Sequence, residues 1–136
     1  MKTLAVIASR GSFNSLVQVA TLLMAAVSSG LAVRVFFRDE AVLKLTKKGV
    51  AELNLSDAYR GLEAKVRARL EKQGLADLEA LLHDVREAGD VRLYACSSSM
   101  AICGVTAPDL LDGIEVRGVT TFLLEDLAAA DRILTF

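Results

Sequence analysis

Residues 2–37 read KTLAVIASRGSFNSLVQVATLLMAAVSSGLAVRVFF. Lys2–Ala8 is a short apolar run bounded by Ser9, Arg10, Gly11 and Ser12, the pattern of a buried strand. Ser12 is placed to cap a helix, because its hydroxyl can accept from the free amides of a first turn. That helix is expected to run from Ser12 to Ser29, with Gly30 supplying the left-handed stop. Leu31–Phe37 (LAVRVFF) follows as a second strand, rich in β-branched and aromatic residues. Strand, helix and strand in immediate succession form a βαβ unit, which joins parallel strands.

The same stretch raises a membrane alternative. Gly11–Val33 carries no charge and is long enough to cross a bilayer, which takes about 20 residues. Against a span stand Ser12, Asn14, Ser15, Gln18, Ser28, Ser29 and Gly30, and the lack of an aromatic belt. A core helix apolar on most faces, then a turn and a strand, is the expected structure.

Working outward, Asp39 is placed to cap a short helix over Glu40–Lys48, closed by Gly49. Val50–Gly74 is the least patterned part. Within it, Arg60–Lys72 alternates charges at helical spacing, which reads as a solvated face or, less simply, a docking surface. Leu75–Ala88 is a clearer amphipathic helix, with Leu75, Leu78, Leu81, Leu82 and Val85 in one stripe and His83 beside it. Val91–Ala95 (VRLYA) is a third strand, and Cys96, Ser97, Ser98 and Ser99 lead into a helical turn ending at Gly104. A short helix at Asp109–Leu111 after Pro108, a strand at Ile114–Val116, a helix at Thr120–Ala130 and a last strand at Arg132–Phe136 complete the chain. Alternating strands and helices predict one α/β domain over residues 1–136, a mostly parallel five-stranded sheet with helices on both faces.

Composition narrows the function. Of 136 residues 53% are hydrophobic and only 5% aromatic, so the core is aliphatic. A chain of this length buries roughly two-thirds of its unfolded surface and folds without a disulfide or metal. The net charge is −1 with both signs interspersed, which excludes the basic footprint of a nucleic-acid binder. Two cysteines and no signal-peptide layout point to a reducing, cytoplasmic setting. One histidine cannot build a Cys/His zinc site or, from the helix before the third strand, complete a serine triad. No cofactor or metal is called for.

In open parallel sheets, ligands gather at the carboxyl ends of the strands. Two turns lie there. Ser9, Gly11 and Ser12 border a helix N-terminus that favours anions, but the turn lacks the lysine and glycine spacing of a phosphate loop and the dinucleotide fingerprint. The second turn holds Cys96. A cysteine at the start of a helix has a lowered thiol pKa, and Ser97, Ser98 and Ser99 keep the turn polar with amides free for an oxyanion or a terminal sulfur. The competing reading makes Cys96 a small core hydrophobe. If Ser97–Cys103 is helical, Cys103 lies roughly 10 Å along the axis at 1.5 Å per residue. A disulfide needs Cα atoms within about 7 Å, so Cys103 is expected to be buried structure.

The run VRLYACSSSMAICGV resembles the cysteine segment of the DsrE/DsrF-like sulfur-relay family, in the branch often labelled peroxiredoxin-like. Ala95, Cys96, Ser99, Met100 and Gly104 carry the likeness, and ASRG, SSGLAVRVFF and GVTTFLLEDLAAADRILTF extend it across nearly the whole chain. The chain departs from that pattern at Arg38, Asp39 and Glu40 and in the short charged segment between Gly49 and Gly74. The resemblance implies a three-layer, Rossmann- or flavodoxin-like α/β/α fold, homo-oligomers, and a cysteine that carries sulfur as a persulfide or thiosulfonate. Its partners would be TusA-type small sulfur carriers or rhodaneses. A peroxidatic site wants a cation near the thiolate, and none adjoins Cys96 in sequence. The alternatives are a nucleotide- or anion-binding module, and a structural subunit of a larger assembly with Cys96 incidental.

Overall fold

A computed structural model describes residues 1–136. Five strands, β1 (Thr3–Ala8), β2 (Ala32–Phe37), β3 (Val91–Cys96), β4 (Ile114–Arg117) and β5 (Arg132–Thr135), form one sheet in the order β4-β3-β2-β1-β5. Every pairing is parallel, so the sheet is wholly rather than mostly parallel.

The uncharged stretch is the expected helix, turn and strand. Helix α1 covers Phe13–Ser28, and the Ser12 hydroxyl accepts from the Ser15 amide. Gly30 makes the stop at φ 85°, a conformation that costs glycine nothing. No helix is long and apolar enough to cross a membrane. The charged segment becomes α2 (Glu63–Lys72) with no buried residue, and the amphipathic stripe becomes α3 (Leu78–Glu87), capped by Asp77 and burying Leu78, Leu82 and Val85.

Period-two alternation divides the strands between two faces. Leu4, Val6, Ala8, Val33, Val35, Phe37, Leu93 and Ala95 join one large core with Phe13, Leu16, Leu23, Leu82 and Val85. Right-handed crossovers from β1 through β4 put α1 and α3 on that face. The chain then crosses back to place β5 beside β1, so the second face receives only the segment between β4 and β5. This second layer is thin: α5 (Val119–Thr121) and a π-helical stretch, Phe122–Leu127.

Three local expectations are corrected. Asp39 does not cap a helix over Glu40–Lys48. A 3-10 helix spans Asp39–Leu45 with Arg38 in the cap position, and Asp39 itself sits at φ 49°. The helix expected over Thr120–Ala130 is the shorter α5 with its π-helical continuation, and the turn after Pro108 is a 3-10 helix over Ala107–Asp109.

Candidate functional site

β3 ends on Cys96 and helix α4 (Ser97–Cys103) begins at the next residue. The alternation of β3 directs Tyr94 and Cys96 to the thin face, where they cluster with Ala5, Phe36 and Phe122. Phe122 stacks on Phe36 at 4.6 Å between ring centroids and meets Tyr94 edge-on at 6.1 Å. Cys96 is 0% exposed.

The other side of the sulfur is polar. Cys96 Sγ lies 3.2 Å from Ser98 Oγ. Burial pushes the thiol up, but the hydroxyls of Ser98 and Ser99 and the amides of Ser99 and Ser98 outweigh it and bring the pKa down to about 7. Donors to the charged form favour that form. Ser99 is itself buried, and its Oγ accepts from the Asp39 amide at 2.8 Å. The serine's own proton is thereby left for the sulfur. Asp39 is the one non-glycine residue with positive φ, and that strained turn of backbone delivers the amide.

Among the other sequence-derived candidates, Ser9 joins Ser98, Ser99, Arg38, Asp39 and Ile102 around a cleft of about 370 Å³ at the carboxyl edge of the sheet. Ser97 is exposed and lies beside Gly118, and it is not among the groups that lower the Cys96 pKa. Gly11 and Ser12 line a different, more polar cleft with Glu40, Lys44 and Glu52. There the Gly11 amide donates to the Glu40 carboxylate at 3.1 Å and the Phe13 amide to the Asn54 carbonyl at 2.8 Å. The chain's own acceptors thus occupy donors that an anion would need. His83, on α3, lines a third cleft with Asp77, Asp84 and Asp112, and no three His, Cys, Asp or Glu side chains are grouped to hold a metal.

Cys103 is corrected from buried structure to a half-buried thiol. It donates to the Asp39 carbonyl at 3.7 Å and borders a cleft with Lys47 and Lys48. Both cysteines are free.

Arg117 escaped the sequence reading. Strand register sets it opposite Cys96, a neighbour that linear spacing does not reveal. Its Nε donates to Asp126 at 2.8 Å, its Nη2 to Glu125 at 2.7 Å, and its guanidinium lies 4.6 Å from the Tyr94 ring centroid. Two carboxylates neutralise it, so it is no free cation for the thiolate.

The family model described as DsrE/DsrF-like matches residues 2–136. The chain belongs to the DsrE/DsrF-like family. Among solved structures, the YchN protein of E. coli is 20% identical, with all of both chains covered and a TM-score of 0.64. A protein of unknown function from Methanobacterium thermoautotrophicum, MTH1491, is 14% identical over 98% of this chain and 99% of its own, with a TM-score of 0.61. At these identities the likeness establishes a DsrE-like fold. No curated protein matches significantly. Within this DsrE/DsrF-like chain, Cys96 is the cysteine that ends an inner strand and meets hydroxyl and amide donors.

Proposed function

We propose that this DsrE/DsrF-like protein relays sulfane sulfur on Cys96 in the cytoplasm. The reading rests chiefly on one observation: the Cys96 sulfur meets the Ser98 and Ser99 donors on its polar side, with its pKa lowered to about 7. Attack on sulfur is fastest when the thiol pKa lies near ambient pH, and a low pKa also makes the same sulfur a good leaving group. A relay needs both properties in turn.

In the forward step the Cys96 thiolate attacks the terminal sulfur of a donor persulfide. A sulfur–sulfur bond forms to Cys96, the donor's bond breaks, and its electron pair leaves on the donor thiolate. In the return step an acceptor thiolate attacks the carried sulfur, and Cys96 departs as the thiolate held by Ser98 and Ser99. No outside oxidant or reductant enters. With a thiosulfonate donor, R–S–S–SO3−, the Cys96 thiolate attacks the sulfane sulfur bonded to the donor thiol, the –S–SO3− group moves to Cys96, and the electron pair of the broken bond leaves on the donor thiolate. Ser9 borders the cleft beside these serines and is assigned to anion contact there. Ser97 does not act on the sulfur, and the Gly11 amide and the Ser12 hydroxyl are engaged within the chain, so these three are assigned at most to the rim.

The partners are assigned as a TusA-type carrier or a rhodanese. A second copy of the chain is expected to cover the apolar side chains Ile133 and Phe136, which the single chain leaves exposed at the β5 edge. The transfer is tested by loading Cys96 with radiolabelled sulfane sulfur and adding a reduced TusA-type carrier or rhodanese. Label moving to the acceptor's cysteine supports the relay, and label retained on Cys96 with every acceptor of both classes refutes it.

A further inference from the structure

A sulfur atom that accepts and returns sulfur must touch its donor, yet Cys96 is 0% exposed. On its polar side the sulfur is closed off by Ser98 and Ser99, the donors that its thiolate needs and that α4 holds in place, and its apolar walls differ in kind. Ala5, Phe36 and Tyr94 belong to central strands and cannot leave without breaking the sheet. Phe122, Leu127 and Ala130 belong to the segment between β4 and β5, the whole of the thin layer.

That segment is built to be held from one side. Its core is a π-helical stretch, a rare geometry that recurs at functional sites. Leu123 and Leu124 point outward, 52% and 68% exposed, so only part of its apolar surface anchors it. Inward it carries Phe122 on the Phe36 ring, and the two carboxylates Glu125 and Asp126 reaching Arg117. Arg117 stands at the end of β4, paired in register with Cys96, and the Tyr94 ring fixes its guanidinium. Charge-assisted, two-pronged pairs of this kind are strong and directional. The Glu125 side chain is nevertheless 65% exposed, so water can compete for the bond.

We propose that Arg117 is a positioning residue that latches a lid over Cys96. Its bonds to Glu125 and Asp126 hold Phe122–Leu127 closed over the sulfur, and donors and acceptors reach Cys96 only when those bonds part. The inference rests on the sulfur-relay reading for its purpose, but its test reads access alone.

The experiment is alkylation by iodoacetamide, a neutral reagent, in a Cys103→Ser background, followed by intact mass. Rates are taken across pH to the plateau where Cys96 is fully thiolate, which separates access from acidity. Where closing outruns alkylation, the plateau rate scales with the open fraction. Arg117→Gln is expected to raise it about tenfold, as loss of a charge-assisted pair implies. Glu125→Gln, at the exposed carboxylate, is expected to raise it about two- to fivefold. An unchanged plateau in folded Arg117→Gln overturns the latch. Should that variant not fold, an unchanged plateau in Glu125→Gln overturns it equally. Failure of the sulfur relay would show instead as no sulfur loading, with these rates unaffected.

Discussion

At Cys96 two opposed effects meet: the wall of Phe36, Tyr94 and Phe122 disfavours a thiolate, while donors from Ser98 and Ser99 favour it. The donors prevail, so the folded pKa of about 7 lies below that of the unfolded chain. The resulting stabilisation is fully present above the unfolded pKa and is lost as pH falls through the folded one. Denaturation of wild type against Cys96→Ala is therefore expected to show a stability difference that grows by about 2 kcal/mol from neutral to mildly alkaline pH. Ser99→Ala should move the midpoint of the pH–alkylation profile upward. Asp39→Val should do the same, since a β-branched residue resists positive φ and would turn the amide off Ser99. Asp39→Gly, which accepts that conformation, should leave the midpoint in place. Cys96 and its serines were legible in sequence because strand end, cysteine and helix start are contiguous. Asp39 and Arg117 were not, because one reaches Ser99 through its backbone and the other reaches Cys96 through strand register.

At the scale of elements, the turn from β1 to α1 is pressed against the 3-10 helix that follows β2. A Cβ at Gly11 would lie 2.7 Å from the Glu40 carbonyl oxygen, which is backbone and has little room to give. Gly11→Ala is expected to cost about 1–3 kcal/mol in chemical denaturation. The βαβ unit and the α3 stripe could be read from periodicity because each element buries one regular face. The π-helical stretch could not, since its buried residues, Phe122 and Asp126, stand four apart as they would on an ordinary α-helix, and the wider turn leaves no mark in composition. Asp39 misled for a related reason: aspartate suits both a helix cap and a left-handed turn, and tertiary contact with Ser99 selects the second.

The whole molecule is lopsided. α1 and α3 bury one face of the sheet deeply, while a single short segment covers part of the other and β5 stays exposed at the edge. Mean hydropathy is +0.41, and Leu124, Ile133 and Phe136 remain at the surface. Light scattering is expected to give a particle larger than the 14.6 kDa chain, with Ile133→Glu or Phe136→Glu shifting it toward the monomer. A wild-type monomer at micromolar concentration would count against assembly through this face. The fold class followed from alternation alone, whereas the thinness of the second layer depends on how few residues separate β4 from β5. The most direct measurement on the Cys96 relay is intact mass after incubation with a persulfide donor and removal of excess reagent. Wild type is expected to gain sulfur that a reducing thiol then removes, and Cys96→Ser to gain none. Equal gains by the two proteins would contradict sulfur carriage on Cys96.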